Sequence, residues 1–267
     1  MNSKRIILGI LFLFFSVSIF PQTYKYSNPV TDAKLLKQFI QSNIVYPEKS
    51  IKNKQEGKVE ISFVTDKTGN VTSSTIEKSV SPEINTEALR IFKLILWQPA
   101  YIDGIAVEGN NTFSIDFNIK KYNKWVKRRT YKSIYIDYPI DTTNIIYSEK
   151  NLDSIPEAKL DNTHKILYNY VYSQIKYPSQ AIELQIEGRV EIEFIIETNG
   201  LTSNYVINES VGGGCTNEAL RIINELQWKP GFKDGLAVRS EKVMFIEFRL
   251  SSIKSGQHMP RQSNSGF

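Results

Sequence analysis

The sequence predicts an α+β protein with two copies of one α-β-β-α-β module, each an antiparallel three-stranded sheet with helices on one face. The first supporting observation is an internal repeat. Residues 38–118 align with 169–249 without a gap, and 28 of the 81 aligned positions are identical at a constant offset of 131. The second is the spacing of the apolar residues, which within each copy changes between about 3.6 and 2. The length of 267 residues is enough for two domains.

The composition is that of a folded and mostly soluble chain. Hydrophobic residues make up 41% and charged residues 23%, which excludes a disordered chain and a multi-span membrane protein. The single cysteine excludes an intrachain disulfide, and two histidines far from it form no cluster with zinc-ligand spacing. We therefore expect no metal and no cofactor.

The first twenty residues have the pattern of an export signal. Lys4 and Arg5 precede an apolar run that reaches Phe20, with Ser16-Val17-Ser18 near its end. We predict a signal peptide over residues 1–18, and its removal lowers the net charge from +5 to +3. An uncleaved membrane anchor through residues 6–20 is the alternative, although the run is shorter than the roughly 20 residues that a spanning helix needs.

Each copy is predicted to open with a helix. The apolar residues of 31–45 and 162–176 recur about every 3.6 residues. Both helices should end before a Tyr-Pro pair, Tyr46-Pro47 or Tyr177-Pro178, because proline disfavours the helical conformation in the residue before it.

A β-hairpin should follow in each copy. Apolar and polar residues alternate along 58–63 and 189–194, which is typical of a half-buried strand. Turn residues at Gly69 and at Asn199-Gly200 then precede a second, weaker strand.

The second helix of the module is predicted over about 86–96 and 217–227. Asn85 and Thr216 are the expected N-caps. A Trp-x-Pro sequence and an Asp-Gly turn then lead to the last strand of each copy.

These elements divide the chain into domains at 31–120 and 162–250, a linker at 121–161 and a disordered tail at 251–267. The linker begins with basic and aromatic residues, which are suited to a nucleic-acid strand or simply to a solvated segment whose aromatics pack on a domain. The low charge of an exported protein favours the second interpretation. The residues are Lys120, Lys121, Lys124, Lys127, Arg128, Arg129 and Lys132, with Tyr122, Trp125 and Tyr131.

Several short motifs in a fixed order resemble the TonB C-terminal domain, in the form of the Bacteroidetes energy transducers. The second copy matches closely, whereas the first has Ser81-Pro82-Glu83-Ile84 in place of Gly-Gly-Gly-Cys. The motifs are Tyr177-Pro178, Glu187-Gly188-x-Val190-x-Ile192-x-Phe194, Ser210-Val211-Gly212-Gly213-Gly214-Cys215, Glu218-Ala219-Leu220-Arg221, Trp228-Lys229-Pro230-Gly231, Asp234-Gly235-x-Ala237-Val238 and Phe245-x-x-Phe248.

The resemblance implies the same α+β module, a periplasmic location, and binding of a short extended segment of an outer-membrane transporter. It also implies energy transfer from an inner-membrane proton channel, for which the family uses an anchor helix with a histidine and a long proline-rich spacer. Here His164 and His258 both lie far from the apolar run. About ten residues separate that run from the first helix, and they reach only about 35 Å when fully extended.

Individual conspicuous residues have structural interpretations. Cys215 occupies the place of Ile84 in the first copy and should be buried against the following helix. Trp97 and Trp228 recur at the same place and are expected in the two cores. No nucleophile elbow, Walker loop or zinc-protease motif is present, so the sequence predicts no enzyme and no catalytic residue.

The function predicted is that of an exported, non-catalytic periplasmic protein that binds extended peptide segments of outer-membrane transporters or other envelope proteins by β-strand addition. No nucleic acid or small-molecule substrate is expected, and the oligomeric state stays open. The alternatives are a membrane-anchored energy transducer and a structural protein of an envelope assembly.

The predicted site is the last strand of the second copy, which keeps the family pattern better than its counterpart Asn111–Ile119. A last strand that pairs with the hairpin on one side only has free N–H and C=O groups on the other. The site residues are Lys242, Val243, Met244, Phe245, Ile246, Glu247, Phe248, Arg249 and Leu250.

Overall fold

The computed structural model describes residues 23–129, 137–160, 163 and 165–252. Within them the chain has the predicted α+β architecture, with two copies of a three-stranded antiparallel sheet and its helices. The predicted signal peptide or anchor and the C-terminal tail beyond Ser252 lie outside the described residues.

The first copy contains the predicted α-β-β-α-β series together with short additional elements. Its sheet has the order β3-β2-β6, so the first strand of the hairpin is central. The elements are β1 (Tyr24–Lys25), α1 (Ala33–Asn43), α2 (Glu48–Lys52), β2 (Gly57–Thr65), β3 (Val71–Lys78), α3 (Pro82–Leu94), β4 (Ala100–Ile102), β5 (Ile105–Val107), β6 (Gly109–Phe117) and α4 (Ile119–Arg129).

The segment between the copies has short elements that pair with strands of the second copy. It contains β7 (Ile146–Tyr147), a 3-10 helix (Glu149–Asn151) and β8 (Glu157–Lys159). β8 pairs with the strand that contains Trp228, and Pro29 forms a bridge with Trp97 in the corresponding place of the first copy. The duplicated unit therefore includes an extended segment before its first helix, which the periodicity did not indicate.

The second copy repeats the first with a larger sheet. Its antiparallel strands have the order β10-β9-β13-β12, and β7 adds to β13 in parallel. The elements are α5 (Leu167–Gln174), α6 (Ser179–Glu183), β9 (Gly188–Ile196), β10 (Thr202–Glu209), α7 (Cys215–Glu225), β11 (Gln227–Lys229), β12 (Gly231–Lys233) and β13 (Leu236–Phe248), followed by a 3-10 helix (Leu250–Ser252).

Burial follows the predicted alternation along the central strands. Val59, Ile61 and Phe63 are at most 2% exposed and form one core with α3. Trp97 and Trp228 are also buried, as predicted. The three-stranded sheet of the first copy and the larger sheet of the second copy each bury one face against a helix of the same copy.

The predicted N-caps of the second helix were wrong. α3 begins one turn earlier, with Ser81 as N-cap and Pro82 in the first turn, and α7 follows Gly214 in the left-handed conformation. Asn85 and Thr216 instead lie inside the helices, where their side-chain oxygens accept the N–H groups of Val80 and Val211. The two side chains therefore bond to the segment that leads into each helix, and not to the first turn of the helix.

The hairpin glycine is required by a close approach between two chain segments. Gly69 has φ +91°, and a Cβ there would lie 2.1 Å from the carbonyl oxygen of Trp97. Any side chain at this position would therefore push the hairpin turn away from the Trp-x-Pro segment.

The two copies pack against each other, a point that the sequence left open. Leu35 of α1 belongs to the core of the second copy. Asn204 of β10 accepts the N–H of Leu96 at 2.9 Å and donates to the carbonyl of Leu94 at 3.0 Å. Its φ of +49° coincides with an irregularity in the pairing of β10, which directs this amide towards the first copy.

Candidate functional site

The predicted site lies mostly within β13. This strand ends at Phe248, so Arg249 and Leu250 fall just beyond it. β13 pairs with β9 from Ser240 to Phe248. β13 therefore contains seven of the nine residues of the predicted site, Lys242 to Phe248.

The side chains of β13 alternate between the core and solvent. Met244, Ile246 and Phe248 are buried, whereas Val243 and Phe245 are 42% and 52% exposed on the outer face of the sheet. The guanidinium of Arg189 lies 3.9 Å from the centre of the Phe245 ring. Two apolar side chains, Val243 and Phe245, therefore lie on the solvent-exposed face of the sheet.

The second edge of β13 is covered at its start. β7 pairs there with Arg239 and Ser240, and the Lys242 ammonium forms an ion pair with Glu149. Among the described residues, no strand pairs with this edge after Ser240.

A tyrosine covers the end of the same edge. The hydroxyl of Tyr172 in α5 accepts the N–H of Glu247 at 3.3 Å, and its ring lies 4.3 Å from that of Tyr168. Burial, followed by the hydrogen bond with Tyr168, raises the pKa of Tyr172 to about 12, which keeps the phenol protonated. The part of β13 that has no described strand partner on its second edge therefore lies between β7 and Tyr172.

The bond to Tyr172 also shows which backbone groups face the edge. Along an antiparallel strand, alternate residues direct their N–H groups to the same side. Since the N–H of Glu247 points away from β9, those of Phe245 and Val243 point towards the free edge as well. These are the donors that an added strand would use.

Among the described strands, the corresponding strand of the first copy, β6, also has a partner on one side only, which is β2. The N–H of Thr112, the counterpart of Val243, is bonded to the side chain of Asn111 at 2.8 Å and so also faces outwards.

A groove of about 490 Å³ runs beside β6 between α1 and α4. Its apolar floor includes Leu36, Ile40 and Trp125, which pack against the core of the first copy. Lys37 and Lys124 lie at its rim, and the ammonium of Lys121 is paired with Asp116 at 2.8 Å.

Sequence reasoning missed Tyr172 and β7, which set the length of the open edge in the second copy. The one available signal was a departure from the repeat, because Tyr168 and Tyr172 replace Lys37 and Gln41 of the first copy.

Cys215 is buried, as predicted. Burial raises the pKa of its thiol, which favours the unreactive protonated form. Within the ranges described, no three His, Cys, Asp or Glu side chains come together as metal ligands would. No helix in those ranges combines the length and apolar character that a membrane crossing requires.

The comparison with protein families agrees with this architecture. The model for the Gram-negative bacterial TonB protein C-terminal matches residues 42–119 and 173–250, one stretch in each copy. No curated protein matches the chain. This family is a non-catalytic protein-interaction domain that generally interacts with outer-membrane transporters, and TonB-like proteins are associated with the cell envelope. Because the two matches cover more than half of the chain, it belongs to the TonB C-terminal domain family.

Proposed function

We propose that the protein is exported to the periplasm and binds extended segments of outer-membrane transporters by β-strand addition to β13. The observation that carries this proposal is the stretch from Val243 to Glu247, which in the described part of the chain has a strand partner on one side only. An incoming strand would bond to the outward N–H groups and displace the Tyr172 hydroxyl from Glu247.

The exposed side chains of β13 would add selectivity. Cross-strand neighbours on one face lie about 4.5–5.5 Å apart. A bound segment would therefore place every second side chain next to Val243 or Phe245, so apolar or aromatic residues at alternating positions fit best.

β6 is the second candidate strand, because among the described strands it pairs with β2 alone. The groove beside it would accept the side chains of an added strand that point towards α1, on a floor that contains Leu36, Ile40 and Trp125. The edges of β13 and β6 would each bind a peptide segment, and experiment can distinguish them.

Paired proline variants test the two edges. Val243→Pro removes an outward N–H without removing a bond to β9, and Thr112→Pro does the same at the equivalent place in β6. We expect Val243→Pro to weaken binding of peptides from candidate transporters by roughly tenfold or more, the equivalent of one lost hydrogen bond and its geometry. Thr112→Pro should leave that binding unchanged.

Backbone amide NMR shifts on titration locate the contact. Shifts concentrated at 242–248 support β13, and loss of binding only with Thr112→Pro moves the site to β6. Shifts confined to the helices, with both proline variants behaving like the parent, would exclude strand addition and favour the structural-assembly alternative. Circular dichroism melting controls for folding of both variants.

The export and the domain division are part of the same proposal. We propose cleavage after Ser18 and domains at 31–120 and 162–250. Intact mass of the protein from fractionated cells should show the first 18–22 residues missing in the soluble envelope fraction. A full-length mass in the inner membrane would favour an anchored energy transducer with the same binding edge.

A further inference from the structure

Two different contacts bound the stretch of β13 from Val243 to Glu247. Before the stretch, the backbone of β7 pairs in parallel with Arg239 and Ser240. At its other end, one side chain, Tyr172, accepts the N–H of Glu247 at 3.3 Å. A side-chain hydroxyl leaves such a bond by rotation about its own side-chain bonds, whereas a paired strand must move its backbone. The two ends therefore differ in what it takes to open them.

The linker is held to the second copy on both sides of β7. Before β7, the N–H of Asp141 donates to the carbonyl of Ala237 at 2.8 Å, and the N–H of Ala237 donates to the carbonyl of Pro139 at 2.9 Å. After β7, the N–H of Asp153 donates to the carbonyl of Phe232 at 2.9 Å, and β8 pairs with β11. β7 therefore lies between two points at which the linker is attached.

An ion pair closes the position directly after β7. The carboxylate of Glu149, in the 3-10 helix that follows β7, pairs with the ammonium of Lys242. That ammonium also lies 5.7 Å from the centre of the Trp228 ring, which belongs to the core. Movement of β7 away from β13 would break this contact together with the backbone pairing.

We propose that β7 is a fixed stop that sets the register of a transporter segment on β13, and that Tyr172 is the end that opens. This inference rests on the proposed function. The segment would pair from Val243 onwards and continue past Glu247 after the Tyr172 hydroxyl has turned away. Register matters here because a slip by one residue moves every side chain of a strand to the other face. A fixed stop thus decides which side chains of the segment lie beside Val243 and Phe245.

Amide hydrogen exchange of the full chain, followed by NMR, tests the stop. The probe is a nine-residue peptide from the outer-membrane transporter segment that binds most tightly, which is longer than the stretch from Val243 to Glu247. We expect the peptide to slow exchange on the order of tenfold at Val243, Phe245 and Glu247, as one added hydrogen bond at each would. Exchange at Ile146 and Tyr147 in β7 should stay as in the free protein.

The same measurement separates the stop from the binding mode. If no transporter peptide binds, or if the peptide protects none of the outward amides of β13, the proposed function itself fails. If these amides are protected while exchange in β7 becomes faster, strand addition holds and the fixed stop is overturned, because the peptide would then have displaced β7.

Tyr172→Phe tests the end that opens, because it removes the hydroxyl and keeps the ring. The peptide would no longer compete with the hydroxyl for the N–H of Glu247, so its affinity should rise about two- to tenfold, the net contribution of one hydrogen bond. The matched control is Tyr168→Phe, the same change one turn earlier in α5, and it should bind like the parent. Unchanged or weaker binding by Tyr172→Phe, or an equal rise in both variants, would overturn this role of Tyr172.

Tyr147→Pro tests β7 directly, since proline lacks the backbone N–H and should loosen β7 on β13. The free edge is then longer, so the peptide should also slow exchange at Arg239 and Glu241, whose N–H groups face the same side by the strand alternation. In the parent the peptide should leave these two amides unchanged. Protection that begins at Val243 in both proteins would overturn the stop. Melting curves show whether the variant is folded, and if it is not, exchange in the parent decides alone.

Discussion

Replacing Arg239 with methionine should destabilise the protein by about 3–5 kcal/mol. Arg239 and Glu197 are only 3% and 4% exposed in their side chains and form a buried ion pair. The guanidinium donates through Nε to Oε2 at 2.8 Å and through Nη2 to Oε1 at 2.9 Å. Without it, the Glu197 carboxylate would remain in the interior with Ser203 as a neutral donor.

The same guanidinium joins the two copies. Its Nη2 also donates to the carbonyl of Leu94, the last residue of α3, at 2.8 Å. That carbonyl keeps the Asn204 amide when Arg239 is lost, so the uncompensated carboxylate accounts for most of the expected cost.

Urea unfolding followed by tryptophan fluorescence and circular dichroism measures the loss. The double variant Arg239→Met/Glu197→Leu removes both charges and should be more stable than Arg239→Met alone, because no buried charge is left unpaired. Arg189→Met is the surface control, since Arg189 pairs with Glu191 in an exposed position, and it should cost less than about 1 kcal/mol.

The reasoning would be refuted if Arg239→Met lowered the free energy of unfolding by no more than the surface control Arg189→Met does. A double variant no more stable than the single one would show that the hydrogen bond to Leu94, and not the unpaired charge, dominates.

Three further predictions concern the cores. Trp228→Ala should cost about 3–5 kcal/mol in urea unfolding, as large-to-small core changes do, and an unchanged melt with lost peptide binding would contradict the core assignment. Native Cys215 should resist a thiol reagent such as DTNB and react fully in urea, whereas rapid labelling of the native protein would contradict its burial. The hydroxyl of Tyr46 donates to the carbonyl of Gln55, and burial raises the pKa of this hydroxyl from 10.0 to about 12. The contribution of Tyr46 to stability should therefore be complete below pH 10 and decline as the pH rises through 12. Tyr46→Phe should lose less stability over that interval, and an identical alkaline decline in both proteins would contradict the assignment.

The sequence alone determined the α-β-β-α-β series of each copy. Alternation along β2 and β9 and the helical spacing in α1 and α3 are local patterns, and burial of one face is the physical requirement that produces them. The repeat supplied a second reading of every element, which is why Trp97 and Trp228 were assigned to the cores correctly. The helix starts were predicted wrongly, because Asn85 and Thr216 are residue types that favour N-caps, whereas in the structure they lie within the helices and accept backbone N–H groups of the preceding segment.

Only the tertiary structure decided which edges are open and how the copies meet. The cover of β13 by Tyr172 joins residues 75 positions apart, and the contact of Asn204 with Leu94 joins residues 110 positions apart. Such contacts depend on where whole elements come to lie, and they have no periodicity within a short window. The orientation of α4 is decided in the same way, since Tyr122 and Trp125 pack against the core of the first copy.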